Sequence, residues 1–320
     1  MLKISLALCI VILTVSCGSP EAETTSPENK TVTETPVETR YLLQEYETYV
    51  ASLDTTTEKS VGEAAEKYAK LFSKADRKVC DSAFVIFHDL YEKIENQLDY
   101  QVYTSPVYAE LPCALIDDNG KELPMDKRLS ALENRIQKNG FKLECREGYP
   151  GVAGDRSYIT SRFYSFVSPE MREFLEGLRK EKEQHFAVDA GIAITEKEFA
   201  DRLVWWENFN DKHPDFILAK RAKFIQKYLF TFFIIGMDNT PSTNYPIDEN
   251  GVEKIELDTY FVKAYAYLNT KYPSSQSNAL VKSFAAAVRK NDKVKSEQLI
   301  KSYTKRGLMI DLMEDLDYRY

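Results

Sequence analysis

Residues that build metal and redox centres are scarce in this sequence. Among 320 residues there are three histidines, His88, His185 and His213, and five cysteines. Neither a CxxC pair nor an HExxH helix occurs, so no dedicated His/Cys metal site is expected. Clustered positive charge is missing as well. Forty-two Lys and Arg stand against 50 Asp and Glu, a formal net charge of −8, which leaves no electrostatic footprint for nucleic acid. There is no nucleophile elbow, no nucleotide phosphate loop and no carboxylate pair at a diagnostic spacing, so no cofactor is expected. Isolated acids cannot be paired across a fold from sequence, and a two-carboxylate hydrolase stays open on this ground. Long apolar runs are lacking too. The run from Ile4 to Val15 would span roughly 18 Å as a helix, short of a ~30 Å hydrocarbon core.

That short run is better read as a signal than as a membrane span. Lys3 precedes it and Ser16-Cys17-Gly18 follows, which completes the charged, apolar and small-residue parts of a secretory signal. The stretch Leu13-Thr14-Val15-Ser16-Cys17 resembles the lipobox of bacterial lipoproteins. Ser16 and the obligatory Cys17 are in place; Thr14 stands where Leu is usual, with Leu13 one position early. The resemblance implies secretion by the general export route and cleavage of residues 1–16. It also implies diacylglycerol on the Cys17 sulfur and an acyl chain, such as palmitate, on its new amino group. Several chains together anchor firmly where one binds only marginally. In the enterobacterial system that this resembles, an acidic residue after the cysteine retains lipoproteins at the inner membrane. Gly18 lacks that charge, which points to the outer membrane of a Gram-negative bacterium. Gly18 to Thr39 is rich in Thr, Glu, Ser and Pro and has too little apolar surface to offset the entropy of ordering. It is expected to be a disordered tether, ~70 Å when extended and ~25 Å as a coil. Loss of Lys3 with the signal makes the remaining chain −9.

Residues 40–320 suffice for a large core, in one domain or in two lobes at 40–139 and 140–320. Apolar residues at steps of three and four predict helices through Leu42–Leu53, Val61–Ala75 and Cys80–Leu98, the last placing Cys80 in the core. A shorter helix is expected with Met125, Leu129, Leu132 and Ile136 on one face and Asn139-Gly140 as its stop. Phe141, Leu143 and Cys145 then alternate with polar residues as in a strand, and Tyr158–Val167 is a second strand candidate. Ser168-Pro169 and Thr195 with Glu198 read as helix starts. Pro214 is expected to open a helix ending in the apolar run Tyr228–Ile235, the buried centre of the body. Three helices near 258–271, 275–290 and 293–304 close the chain. The predicted fold is mainly α, an irregular helical bundle or helical-hairpin array with a small β element near 140–167. Tyr267–Ser275 resembles the Tyr-Pro helix break of tetratricopeptide-like hairpins, but no 34-residue period supports a solenoid.

Three places invite a ligand. Gly148, Gly151 and Gly154 make a loop in which Glu147, Tyr149, Asp155 and Arg156 are candidate ligand-binding residues; the competing reading is a plain hairpin connection. Asp238 and Asn239 open a polar loop at the end of the buried helix, where local turn-building is the simpler account. Trp205-Trp206 with Glu207 would suit sugar stacking, yet neighbours ~100° apart on a helix cannot share a platform, which favours core packing. Cys113 and Cys145 are the better disulfide pair, one in a loop and one near a strand end. The functional expectation is a non-enzymatic cell-envelope binding or scaffold protein, held to the membrane through lipid on Cys17, with an envelope protein or glycan as partner. The alternatives are a hydrolase acting on glycan or cell-wall material and a substrate-capturing subunit of an outer-membrane uptake system.

Overall fold

The computed structural model describes residues 36–105, 127–146 and 149–312. Cys17, Cys113 and Glu147 lie outside these residues, and so does the proposed pairing of Cys113 with Cys145. The fold is mainly α. The described residues hold eleven helices and four two-stranded antiparallel ladders.

Helices α1 (Pro36–Ala51) and α2 (Lys59–Phe72) pack against the long α3 (Arg77–Thr104). Asp76 caps α3, its side chain accepting from Lys78 N. The predicted stripe is buried along α3, from Cys80 through Phe84, Phe87, Tyr91 and Ile94 to Leu98. Helix α4 (Lys127–Lys138) leads into strand β1 (Phe141–Arg146), which pairs with β2 (Tyr149–Gly154) in register Phe141↔Gly154. Gly151 and Gly154 sit within strand β2, in keeping with the hairpin reading of the glycine-rich stretch. They are small because α3 lies against the strand: a Cβ on Gly154 would come 2.6 Å from Tyr91 Oη, and one on Gly151 3.0 Å from Asp99 Oδ1. One expectation is corrected here: Tyr158–Val167 is not a strand. Helix α5 spans Arg156–Phe163, with Asp155 accepting from Ser157 N as its cap. The β-branched and aromatic composition favoured a strand, but the cap and the burial of Tyr158, Ile159 and Phe163 on one side of a helix prevail. Phe163 enters the core against Tyr68, Phe84 and Phe87, with ring centroids 4.9, 5.1 and 4.3 Å away.

Helix α6 (Pro169–Glu183) starts at the expected Ser168 cap. The buried Asp81 of α3 accepts from Ser168 N at 2.9 Å and so ties α3 to this start. A tight hairpin follows, β3 (Ala187–Val188) with β4 (Gly191–Ile192). Helix α7 (Glu196–Lys212) is capped by Thr195, and it packs along α8 (Ala219–Ile235) and α9 (Thr259–Lys271). Helix α8 does not open at Pro214 as expected. Residues 214–218 form turns first, and α8 begins at Ala219. Its end is buried as predicted, with Leu229, Phe230, Phe233 and Ile234 in the core. Between α8 and α9 the chain forms β5 (Gly236–Met237) with β6 (Thr240–Pro241), then β7 (Thr243–Asn244) with β8 (Glu256–Leu257). Gly236, at φ +74° and ψ −164°, makes the first corner, a conformation essentially reserved for glycine. Helices α10 (Gln276–Arg289) and α11 (Lys293–Lys305) close the body. One hydrophobic cluster runs from Tyr46 to Met309.

Candidate ligand-binding cleft

A cleft of about 600 Å³ opens between β1 and α5 on one side and α6, the β3–β4 hairpin and α8 on the other. This is the size range of small-molecule sites. Its lining divides by chemistry. Leu178, Phe186, Val188, Ile225, Tyr228 and Leu229 make an apolar wall, while Glu144, Arg156, Glu181, Lys182, Asp189 and Arg221 supply charge.

Beneath the charged side, α3 carries His88, Glu92, Glu95 and Asp99, spaced four, three and four residues apart on a row beside its apolar stripe. Arg221 of α8 reaches across and donates to both Glu92 oxygens, through Nη1 to Oε2 at 2.7 Å and through Nη2 to Oε1. Burial alone would raise the Glu92 carboxyl, but the Arg221 hydrogen bonds and the neighbouring positive charge prevail and hold it at about 2. His88 is fully buried, and burial lowers it to about 3 despite Glu92 beside it. It is therefore neutral at pH 7. Arg221 Nη1 lies 3.4 Å from His88 Nδ1; a guanidinium only donates, so Nδ1 accepts and the proton is assigned to Nε2. His88, Asp89 and Glu92 offer ligand atoms within 4.8 Å of one another. A cation there would share Glu92 with the Arg221 fork, whose positive charge opposes it.

Arg156 is the anomaly of the site. It is the first residue of α5, 8 % exposed, and it lines the cleft. Its Nη2 stands 4.0 Å from Glu95 Oε2, and its guanidinium rests over the Tyr91 ring at 5.9 Å. Nε and Nη1 are buried and have no hydrogen-bond partner. Arginine stays charged in proteins, and each buried donor left unpaired costs about 1–3 kcal/mol. Lys182 Nζ lies 3.9 Å from the other oxygen of Glu95. Two cations therefore share one carboxylate, both beyond hydrogen-bonding distance.

The rim is strained and braced. Asp189 and Ala190, at the tip of the β3–β4 hairpin, have φ of +48° and +52°, and neither is a glycine. Asn239, in the β5–β6 turn, holds this tip: its N–H donates to Ala190 O at 2.9 Å and its Nδ2 to Asp189 O at 2.5 Å. Ile192 N donates to Thr240 Oγ1 at 3.1 Å. Strain of this kind persists where surrounding contacts over-determine it, often at ligand clamps.

The candidate residues thus fall into different places. Arg156 lines the cleft, Asn239 supports its rim, and Asp155 is committed to capping α5. Asp238 is exposed in the β5–β6 turn and is not among the cleft-lining residues. Tyr149 contributes backbone to β2. Sequence reasoning missed Lys182, Arg221 and the polar row on α3; the four-three-four spacing of that row was the available signal.

Trp205 and Trp206 face a second recess of about 580 Å³. Trp206 is buried and donates to Glu181 Oε1 at 3.0 Å. Trp205 is half-buried, packed against Gly177 and stacked on Phe209 at 5.6 Å. Glu207 is buried and accepts from Gln276 N and Ser277 N, capping α10. Asp201 accepts from Tyr267, Lys271 and Tyr272. These groups are engaged with one another, in keeping with core packing at the tryptophan pair. No family model matches the chain, and no significant match was found among curated proteins or solved structures.

Proposed function

We propose that this chain is a non-enzymatic binding protein of the bacterial cell envelope, anchored by lipid on Cys17, whose partner enters the cleft beside Arg156. The observation that carries this reading is the buried, incompletely paired Arg156 in the wall of a cleft of ligand size. A volume of about 600 Å³ suits a small molecule or the end of a glycan or peptide, not the face of a folded protein. The lipobox resemblance at Leu13–Cys17 supports the address.

A hydrolase would use two carboxylates able to trade protons. Glu144 and Glu181 both line the cleft, but Glu181 accepts from Arg202 Nη1 at 2.9 Å and from Trp206 Nε1 at 3.0 Å. Those two bonds tie its carboxylate to neighbouring side chains, which weighs against its turning to a substrate. Binding is the better use of the site.

A photoreactive benzoylphenylalanine tests the reading when it replaces Val188, which is 51 % exposed on the rim, or Val294, which is 65 % exposed on α11. With each protein expressed in its native envelope, irradiation should give a discrete adduct by mass spectrometry at position 188 and none at 294. Equal labelling at both positions, or none at 188, would remove the cleft as the binding site.

A further inference from the structure

We infer that the ligand of this cleft carries an acid group, a carboxylate or phosphate, that pairs with Arg156 and Lys182, and an apolar body that lies along Phe186, Ile225 and Tyr228. The inference rests on the binding role proposed above and adds the chemistry of what is bound. Guanidinium nitrogens and a planar acid group match in geometry, and such charge-assisted bonds are about twice as strong as neutral ones. The acids already present do not satisfy Arg156. Glu92 is taken by Arg221 and Glu181 by Arg202 and Trp206. Glu95 is divided between Arg156 and Lys182 at 4.0 and 3.9 Å. Glu144 also reaches the cleft and has interactions of its own. Arg156 and Lys182 both line the cleft; Arg156 Nε and Nη1 are buried without a partner, while Lys182 is about one-third exposed. Opposite, the rings of Phe186 and Tyr228 stand 5.9 Å apart and back onto Phe199 and Phe232, a firm apolar surface for a hydrocarbon or aromatic group.

The probes are octanoate, octyl phosphate, octanol and octylammonium, titrated calorimetrically against the full chain carrying Cys17→Ser, without detergent. Octanoate or octyl phosphate should bind at least about tenfold tighter than octanol, and whichever is tighter identifies the acid group. Arg156→Gln should erase that preference. Should Arg156→Gln fail to fold, the exposed-side variant Lys182→Ala should cut the preference severalfold. Equal binding of octanol and octanoate, strongest binding of octylammonium, or a preference that survives both substitutions would overturn the inference. If no probe binds although position 188 captures an adduct, the acid-group inference falls and the cleft stands. If position 188 captures nothing, the binding role itself falls.

Discussion

At the scale of single residues, the charged floor of the cleft sets a measurable pH dependence. His88 is neutral in the fold because burial lowers it to about 3, whereas in the unfolded chain it titrates near 6.5. The folded state binds fewer protons than the unfolded state between these values, so stability is fully present above about 6.5 and is lost as pH falls toward 3. Between pH 7 and pH 5 this one group should remove ~2 kcal/mol. Glu92 adds its own loss only lower, from its unfolded range down toward about 2. Urea denaturation of wild type and His88→Gln at pH 7 and pH 5 separates the two effects. The variant should lack most of the loss across that interval; an identical loss in both proteins would mean that His88 is not buried neutral. Sequence spacing placed His88 on α3 but treated that helix by its apolar stripe alone. The pairing of Glu92 with Arg221 joins residues 129 apart, and no local pattern encodes such a meeting.

At the scale of elements, helices were legible where a cap and a period agreed. Ser168, Thr195 and the α3 stripe all lie where the spacing puts them. Helix α5 is hidden in the sequence because its composition is that of a strand, and its cap, Asp155, reads equally well as a ligand contact. The loop at 238–239 was recognised as polar, but its role required knowing that another hairpin lies beside it. That role predicts the behaviour of Asn239→Ala. Alanine keeps the backbone bond to Ala190 O but loses the Nδ2 bond to Asp189 O, and without that bond the strained tip should relax. Amide exchange across residues 187–192 should accelerate at least about tenfold while global stability changes by about 1 kcal/mol or less. Unchanged exchange would show that the hairpin is held by something other than the Asn239 side chain.

At the scale of the whole molecule, the mainly α architecture was readable from periodicity, whereas the cleft was not, since its walls come from distant parts of the chain. The proposed address is a property of the whole chain too. If Cys17 carries the anchor, Cys17→Ser should move the protein from the membrane pellet to the soluble envelope fraction, and the N-terminal peptide should lose the mass of its acyl chains. A variant that stays in the pellet would show that something other than lipid on Cys17 holds the protein there.

The fork between Arg221 and Glu92 also has a consequence in time. Contacts between residues far apart in the chain form late, because the entropy of closing the intervening loop must first be overcome. Helix α3 is synthesised well before α8, and the two meet through a pair 129 residues apart. A chain stopped short of residue 219 therefore has Glu92 without its Arg221 partner and lacks the α8 wall of the cleft.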